Sequence, residues 1–248
     1  MDNPVALVTG ASGGIGRSIA LRLGREGLDV AFHYRTGRRE AEEAAGEARE
    51  TGVRAVAVAG DISIPEDVAS IFRAVEDSLG PPTVLINNAG IAPLAPNFED
   101  VTEALWDRIL AVNLKGHFLC TREAVPGMRR SGGGVILNIG SAMAFHPKNQ
   151  SLPYHVAASG RVMMTQWLAL QLAPDIRVNC VSPGVTATGI GGGRYLDPEF
   201  QASIASQVPM GRIGLPEDIA ELAGFLTSER AGFITGQTFL VNGGRICH

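Results

Sequence analysis

Thr9-Gly10-Ala11-Ser12-Gly13-Gly14-Ile15-Gly16 decides how the rest of the chain is read, because it lies between an apolar run, Val5–Thr9, and a segment of helical period, Ile15–Glu26. Glycines at such a point permit a tight turn and let the backbone approach a pyrophosphate. The phosphate charge is favoured there by free N–H groups and by the positive end of the following helix. A glycine-rich turn alone says little, whereas one set between a strand and a helix opens a nucleotide-binding βαβ unit.

Outward from this turn, short apolar runs alternate with longer helical segments. Val5–Thr9, Val30–His33, Ala55–Ala59, Val84–Asn87, Val135–Ile139, Arg177–Val181 and Thr238–Val241 are the expected strands. Ile15–Glu26, Arg39–Thr51, Pro65–Leu79, Thr102–Arg130, Ser151–Ala173 and Pro216–Leu226 are the expected helices. The alternation predicts one α/β domain over residues 1–248, a Rossmann-type doubly wound parallel sheet of about seven strands with helices on both faces. Right-handed crossovers place its ligands outside the carboxyl ends of the strands. Thr188–Asp197, with Gly191–Gly193, and the residues up to 207 read as a flexible substrate loop.

Composition narrows the class. Of 248 residues, 45% are hydrophobic and 19% charged, which fits a chain that folds on its own. A net charge of -4 with interspersed signs offers no broad basic surface, so nucleic acid is not an expected partner. Cys120, Cys180 and Cys247 lack CxxC spacing, and His117, His146 and His155 lack ligand spacing, so neither a disulfide nor a metal site is expected. No basic leader precedes the first strand, and no apolar run approaches the roughly 20 residues that span a bilayer. The expectation is a cytoplasmic chain that does not engage membranes.

Further motifs follow in order. Asn87-Asn88-Ala89-Gly90 ends the fourth strand, Asn113 lies in the next helix, Ser141 follows the fifth strand, and Tyr154 comes thirteen residues later. Pro183-Gly184 follows the sixth strand with Thr188 beyond it, and the end reads Gly236-Gln237 through Val241-Asn242-Gly243-Gly244. In order and spacing these motifs resemble the short-chain dehydrogenase/reductase family, most nearly its 3-oxoacyl-carrier-protein reductase-like members, over essentially the whole chain. The resemblance implies a nicotinamide dinucleotide, with Gly10, Gly14 and Gly16 at the pyrophosphate, Asp61 at the adenine and Asn88 along the adenosine ribose. Val185 and Thr188 would hold the carboxamide, and Ile15, Ile62, Ala89, Gly90, Pro183 and Gly184 complete the implied cofactor site. Two plainer readings stay open: Asp61 as a cap for the helix near Pro65, and Thr188 as a simple loop residue.

Cofactor choice depends on the end of the second strand, which runs into His33-Tyr34-Arg35-Thr36 with Arg38 and Arg39 behind and no acid. An acid there would bind a ribose 2′-hydroxyl, whereas arginine pairs bidentately with a 2′-phosphate. Arg35 and Ser12 are therefore the candidates for selecting NADPH, with NAD the less favoured cofactor. A solvated basic turn is the other reading of Arg35.

In the family, a tyrosine transfers the substrate proton, a serine hydrogen-bonds the carbonyl oxygen, and a lysine four residues after the tyrosine assists from the same helix face. Ser141 and Tyr154 match. The chain then reads His155-Val156-Ala157-Ala158, so alanine stands where the lysine belongs. Sliding the register to His155 and Ser159 would break the step from Ser141. Asn113 resembles the asparagine that positions a water next to that lysine. Candidate replacement cations are Arg161, seven residues on and roughly on the same face, and Lys148, His146 and His155 nearby in sequence. Alone, Ser141 reads as a turn cap and Tyr154 as a packing residue; their joint spacing makes them site residues.

The resemblance implies an NADP-dependent oxidoreductase acting on a carbonyl or alcohol, impaired or atypical without its lysine. The alternative is a cofactor-binding protein with a regulatory, isomerase or lyase role. Loops around Ala92–Phe98, Ala142–Pro153 and Gly189–Gln201 should form the pocket, and their few charges favour an uncharged or carrier-bound carbonyl compound. The family assembles as tetramers or dimers through two long helices, here Thr102–Arg130 and Ser151–Ala173. Phe118 and Trp167 are expected to be buried against the sheet or a neighbouring subunit.

Overall fold

The computed structural model describes residues 3–147, 151–190 and 193–247. The alternating pattern becomes a seven-stranded sheet in the order β3-β2-β1-β4-β5-β6-β7, parallel throughout. β1 (Val5–Val8), β2 (Asp29–Tyr34) and β3 (Ala55–Ala59) extend one way. β4 (Val84–Asn87), β5 (Gly134–Ile139), β6 (Ile176–Pro183) and β7 (Thr238–Val241) extend the other. Winding reverses between β1 and β4, where Val8 registers with Ile86. The crevice beyond those two carboxyl ends is where sheets of this kind take ligands.

α1 (Gly14–Arg25), α2 (Arg38–Arg49) and α8 (Pro216–Thr227) cover one face, and α3 (Pro65–Leu79), α5 (Gly116–Arg130) and α6 (Leu152–Leu172) cover the other. With both faces covered, β1 is buried at every position and reads Val-Ala-Leu-Val without polar alternation. Among the described residues no helix is long and apolar enough to cross a membrane.

Two expectations need correction and a third is narrowed. Thr102–Arg130 is not one regular helix, because α4 (Glu103–Leu110) and α5 are joined by a π-helical turn, Ala111–Lys115, that contains Asn113. Such wide turns shift the carbonyl pattern and recur at functional sites. The stretch expected to be a flexible loop over 188–207 contains a 3-10 turn, Arg194–Leu196, and α7 (Pro198–Ala205). Pro198 starts α7, and Asp197 caps it by accepting from the Phe200 N–H at 2.8 Å. Of the two places expected for Phe118 and Trp167, the sheet is excluded, since they are 46% and 60% exposed; Met163 and Leu170 are exposed with Trp167 on α6. Gly191, Gly192 and Lys148 lie outside the described residues.

A buried polar chain ties these helices to the sheet. Asn87 Nδ2 donates to Thr121 Oγ1 on α5 at 3.1 Å and to Asn138 Oδ1 on β5 at 3.0 Å. Asn138 Nδ2 donates to Thr165 Oγ1 on α6 at 2.9 Å, and that hydroxyl donates to the Arg161 carbonyl at 2.8 Å. In the other half of the sheet, on β2, His33 Nδ1 accepts from the Gly10 N–H at 3.2 Å, so its Nε2–H donates to the Gly60 carbonyl at 3.1 Å. Burial pushes this imidazole down to about 4.

Each feature generates a prediction. Asn138→Ala takes one of two partners from the buried Asn87 amide and one of two from the Thr165 hydroxyl, and should lower the unfolding free energy by about 1–3 kcal/mol. A urea midpoint equal to that of the parent would show that the chain is dispensable. For His33, the unfolded imidazole takes up a proton near 6.5 and the folded one only near 4. Its contribution is therefore intact above pH 6.5 and drains as pH falls towards 4. Thermal midpoints should fall through that window, and His33→Gln should flatten part of the fall; an unchanged slope would assign the loss to other groups.

Candidate active site

The glycine turn is fixed to the end of β4. Thr9 Oγ1 donates to the Ile86 carbonyl at 3.1 Å and accepts from the N–H groups of Asn88 and Ala89 at 2.9 and 3.0 Å. In return, Asn88 Nδ2 donates to the carbonyls of Thr9 at 2.9 Å and Gly10 at 3.1 Å. Side chains have no room here. A Cβ on Gly10, which sits at φ +66°, would lie 2.9 Å from Ala89 Cα. One on Gly16 would strike the Gly10 carbonyl oxygen and Asn88 Nδ2. No side chain caps α1 and no acid stands in its first turn, so its positive end is left to a ligand's charge.

Gly10, Ser12, Gly14, Ile15, Arg35, Asp61, Ile62, Asn88, Ala89, Gly90 and Thr188 line one cleft past this turn. Gly16 lies buried behind it. Asp61 is not the cap of α3, whose N-cap is Ile64. Instead, Asp61 Oδ1 accepts from the Ser63 hydroxyl and N–H at 2.6 and 2.9 Å, and Oδ2 accepts from Arg108 at 2.9 Å. Burial opposes ionisation of this carboxyl, but the bonds from Ser63 and Arg108 outweigh it and hold it down at about 2. Arg35 Nη1 is 3.9 Å from the same Oδ2, a looser contact on a cleft wall it shares with Ser12.

A second pocket adjoins the first across Ile15, Asn88, Gly90 and Thr188. It brings together Ser141, Tyr154, Asn113, Pro183, Gly184 and Val185. Ser141, just beyond β5, is a turn cap as well as a wall residue, since its Oγ accepts from the Met143 N–H at 3.2 Å. Tyr154 stands in the first turn of α6. Asn113 uses its whole amide on Ile91, accepting from its N–H at 2.9 Å and donating to its carbonyl at 2.8 Å. The Asn113 main-chain oxygen receives Arg161 Nη1 at 3.3 Å.

Of the candidate cations that are described, only Arg161 lines this pocket. His155 Nδ1–H donates to the Ser151 carbonyl at 3.1 Å, and His146 is exposed. Ala158 is fully buried.

The sequence reading missed several residues. His33 holds the turn but reads as the end of an apolar strand. Arg108 holds Asp61 from a helix far along the chain, and no local signal marks the pair. Arg245 and Tyr195 line the second pocket, the former beside Gln207, whose Oε1 accepts from its Nη2 at 2.7 Å. Arg245 and Arg161 correct the expectation of a pocket with few charges, since neither lies in the three loops expected to form it. The Asn242-Gly243-Gly244 turn was visible in sequence, but where it carries Arg245 depends on tertiary packing.

A family model described as "Enoyl-(Acyl carrier protein) reductase" matches residues 10–245. A short-chain type dehydrogenase/reductase from Picea abies is 38% identical, over 98% of this chain and 92% of the relative. A 3beta-hydroxysteroid dehydrogenase 1 from Eggerthella lenta is also 38% identical, over 98% and 94%. A solved structure from Sinorhizobium meliloti, described as a short-chain alcohol dehydrogenase, superposes with a TM-score of 0.91 at 39% identity, over 99% of this chain and 97% of that one. With the glycine cradle and the paired Ser141 and Tyr154 in place, these likenesses show that the chain belongs to the short-chain dehydrogenase/reductase family.

Proposed function

We propose that the chain is an NADP-dependent oxidoreductase that reduces the carbonyl of a small-molecule or carrier-bound substrate, or oxidises the corresponding alcohol. The observation that carries this reading is the meeting of Ser141 and Tyr154 in a pocket continuous with the glycine cradle. The cradle fits a dinucleotide, because Cβ atoms are excluded around Gly10 and Gly16 and Gly14 faces Thr188 closely. Gly10, Gly14 and the start of α1 would hold the pyrophosphate, with Gly16 letting the turn close behind them, and Asp61 and Ile62 the adenine end. Arg35 and Ser12 would take a 2′-phosphate, Asn88, Ala89 and Gly90 the ribose side, and Pro183, Gly184, Val185 and Thr188 the carboxamide end.

When bound, the cofactor supplies or accepts the hydride at the substrate carbon. Tyr154 Oη gives its proton to the substrate oxygen as that oxygen gains the carbonyl electron pair, and takes a proton from the hydroxyl in the reverse direction. Ser141 Oγ donates a hydrogen bond to the same oxygen, where charge develops. Asn113, clamped on Ile91, fixes part of the pocket wall. The dehydrogenase and reductase names of the relatives favour hydride transfer over a regulatory, isomerase or lyase role. We place the protein in the cytoplasm as a homotetramer or homodimer, assembled through α5 and α6, where Phe118, Met163, Trp167 and Leu170 are exposed.

In a fluorescence titration NADPH should bind at least about tenfold more tightly than NADH, and Arg35→Ala should erase the difference, roughly 1.4 kcal/mol, without weakening NADH. Equal affinities would remove Arg35 from cofactor choice. Over a panel of aldehydes, ketones and acyl thioesters, Tyr154→Phe should lower kcat by about a hundred- to ten-thousand-fold. A Tyr154→Phe variant as fast as the parent would end the proton-transfer role.

A further inference from the structure

Arg161 is 3% exposed, and taking a guanidinium that far out of water costs more than one ordinary hydrogen bond returns. Its Nη1 reaches a neutral acceptor, the Asn113 carbonyl, at a long 3.3 Å, and its Nε has no hydrogen-bond partner. Among the described residues no acidic side chain lines the pocket it faces. The fully buried His117 nearby offers no counter-charge: burial, and then the Arg161 charge itself, push it down to about 3. A buried cation without a protein anion, standing in a reaction pocket, is matched to negative charge that arrives with a ligand or develops during reaction.

Its place on α6 says which charge. Tyr154, Ala158 and Arg161 follow at steps of four and three residues, so they form a stripe on one helix face. Helical side chains lean towards the N-terminus. A side chain leaning that way from position 161 reaches back along the turn of Ala158, where a methyl group takes little space, and towards Tyr154. Ser141, Tyr154 and Arg161 line the same pocket.

We propose that Arg161 is the cation of the hydride-transfer site. It faces the negative charge left on Tyr154 Oη when the proton passes to the substrate oxygen, and it donates to the ribose on the nicotinamide side. The Asn113 carbonyl, turned towards it by the π-helical turn, positions it. This inference rests on the redox reading above. In reduction Tyr154 loses its proton to the substrate oxygen, its own oxygen carries the charge opposite Arg161, and solvent then restores the proton. In oxidation each move reverses, and the guanidinium itself neither gives nor takes a proton.

Relocating the charge tests this. Arg161→Met, Ala158→Lys and the double variant Arg161→Met/Ala158→Lys are compared with the parent by NADPH fluorescence titration without substrate, by kcat and KM for carbonyl reduction, and by thermal midpoint. Arg161→Met should lose about a hundred- to a thousandfold in kcat with a far smaller change in KM, and should bind NADPH about tenfold more weakly. The double variant should recover at least about tenfold in kcat and most of the lost affinity, which restored packing alone would not do. Ala158→Lys alone should gain nothing, because a second cation would meet the first. The proposal is overturned if Arg161→Met folds and keeps both parent values, if the double variant is no better than Arg161→Met, or if Ala158→Lys alone raises kcat about tenfold or more. That last comparison leaves Arg161 in place, so it decides the matter even where Arg161→Met does not fold. A parent chain that turns over nothing on the panel would defeat the redox reading, while the NADPH titrations would still judge Arg161.

Discussion

The approach of the β1 turn to the end of β4 sets the spacing on which the rest of the site depends. Thr9 and Asn88 close it with reciprocal bonds, so a backbone that would otherwise bury unpaired carbonyls is satisfied by two side chains. Any Cβ on Gly16 would force the turn away from Asn88 and tilt α1 with it. His33 holds the same turn from β2, and Thr188 meets Gly14 from beyond β6. One short loop is thus fixed from three directions. Because β1 and β4 flank the reversal of winding, that loop and Asn88-Ala89-Gly90 share one crevice. The two candidate clefts therefore have walls in common, at Ile15, Asn88, Gly90 and Thr188.

Rigidity on the reaction side comes from a different source. Ser141, Asn113 and Tyr154 stand on three separate elements, which apolar packing alone would let slide by fractions of an ångström. The chain Asn87–Asn138–Thr165 is directional and spans β4, β5 and α6, with a branch through Thr121 to α5. Buried hydrogen bonds of this kind specify one arrangement more sharply than they stabilise it, since breaking one leaves an unpaired group. Thr165 also bonds the carbonyl of Arg161, so the chain ends where the buried charge begins.

The strands and most helices were legible because their signal is periodic and local: runs buried on both faces lack alternation, and amphipathic segments repeat at helical spacing. Ser141 and Tyr154 were legible by their spacing after a strand. The π-helical turn at Asn113 was not, since an i to i+5 bond changes which carbonyl is available without disturbing the apolar pattern. α7 hid behind glycines because a helix of eight residues is fixed by its cap and its neighbours more than by propensity. Phe118 and Trp167 could be read only as facing the sheet or a neighbouring subunit, because periodicity shows that a helix has an apolar face but not which way it points. The contacts of Arg108 with Asp61 and of Arg245 with the pocket join distant parts of the chain, and no window of sequence contains both partners.

The pairing of Ala158 with Arg161 is best understood as a single steric and electrostatic arrangement. On the proposal above, a charge serving Tyr154 can stand one turn away on a short reach or two turns away on a longer one, provided nothing intervenes. Alanine is the residue that clears the path. A guanidinium is also less strongly hydrated than an ammonium and presents several donors in a plane, so it loses less on entering a dry pocket and can bond a carbonyl with one edge while leaving others for a ligand. Its cost is positional, because a long side chain must be pinned before its charge is useful. The Asn113 carbonyl does that pinning, and Asn113 is itself clamped to Ile91 beyond the end of β4. The geometry of the charge is therefore traceable, bond by bond, to the strand end that also fixes the glycine turn.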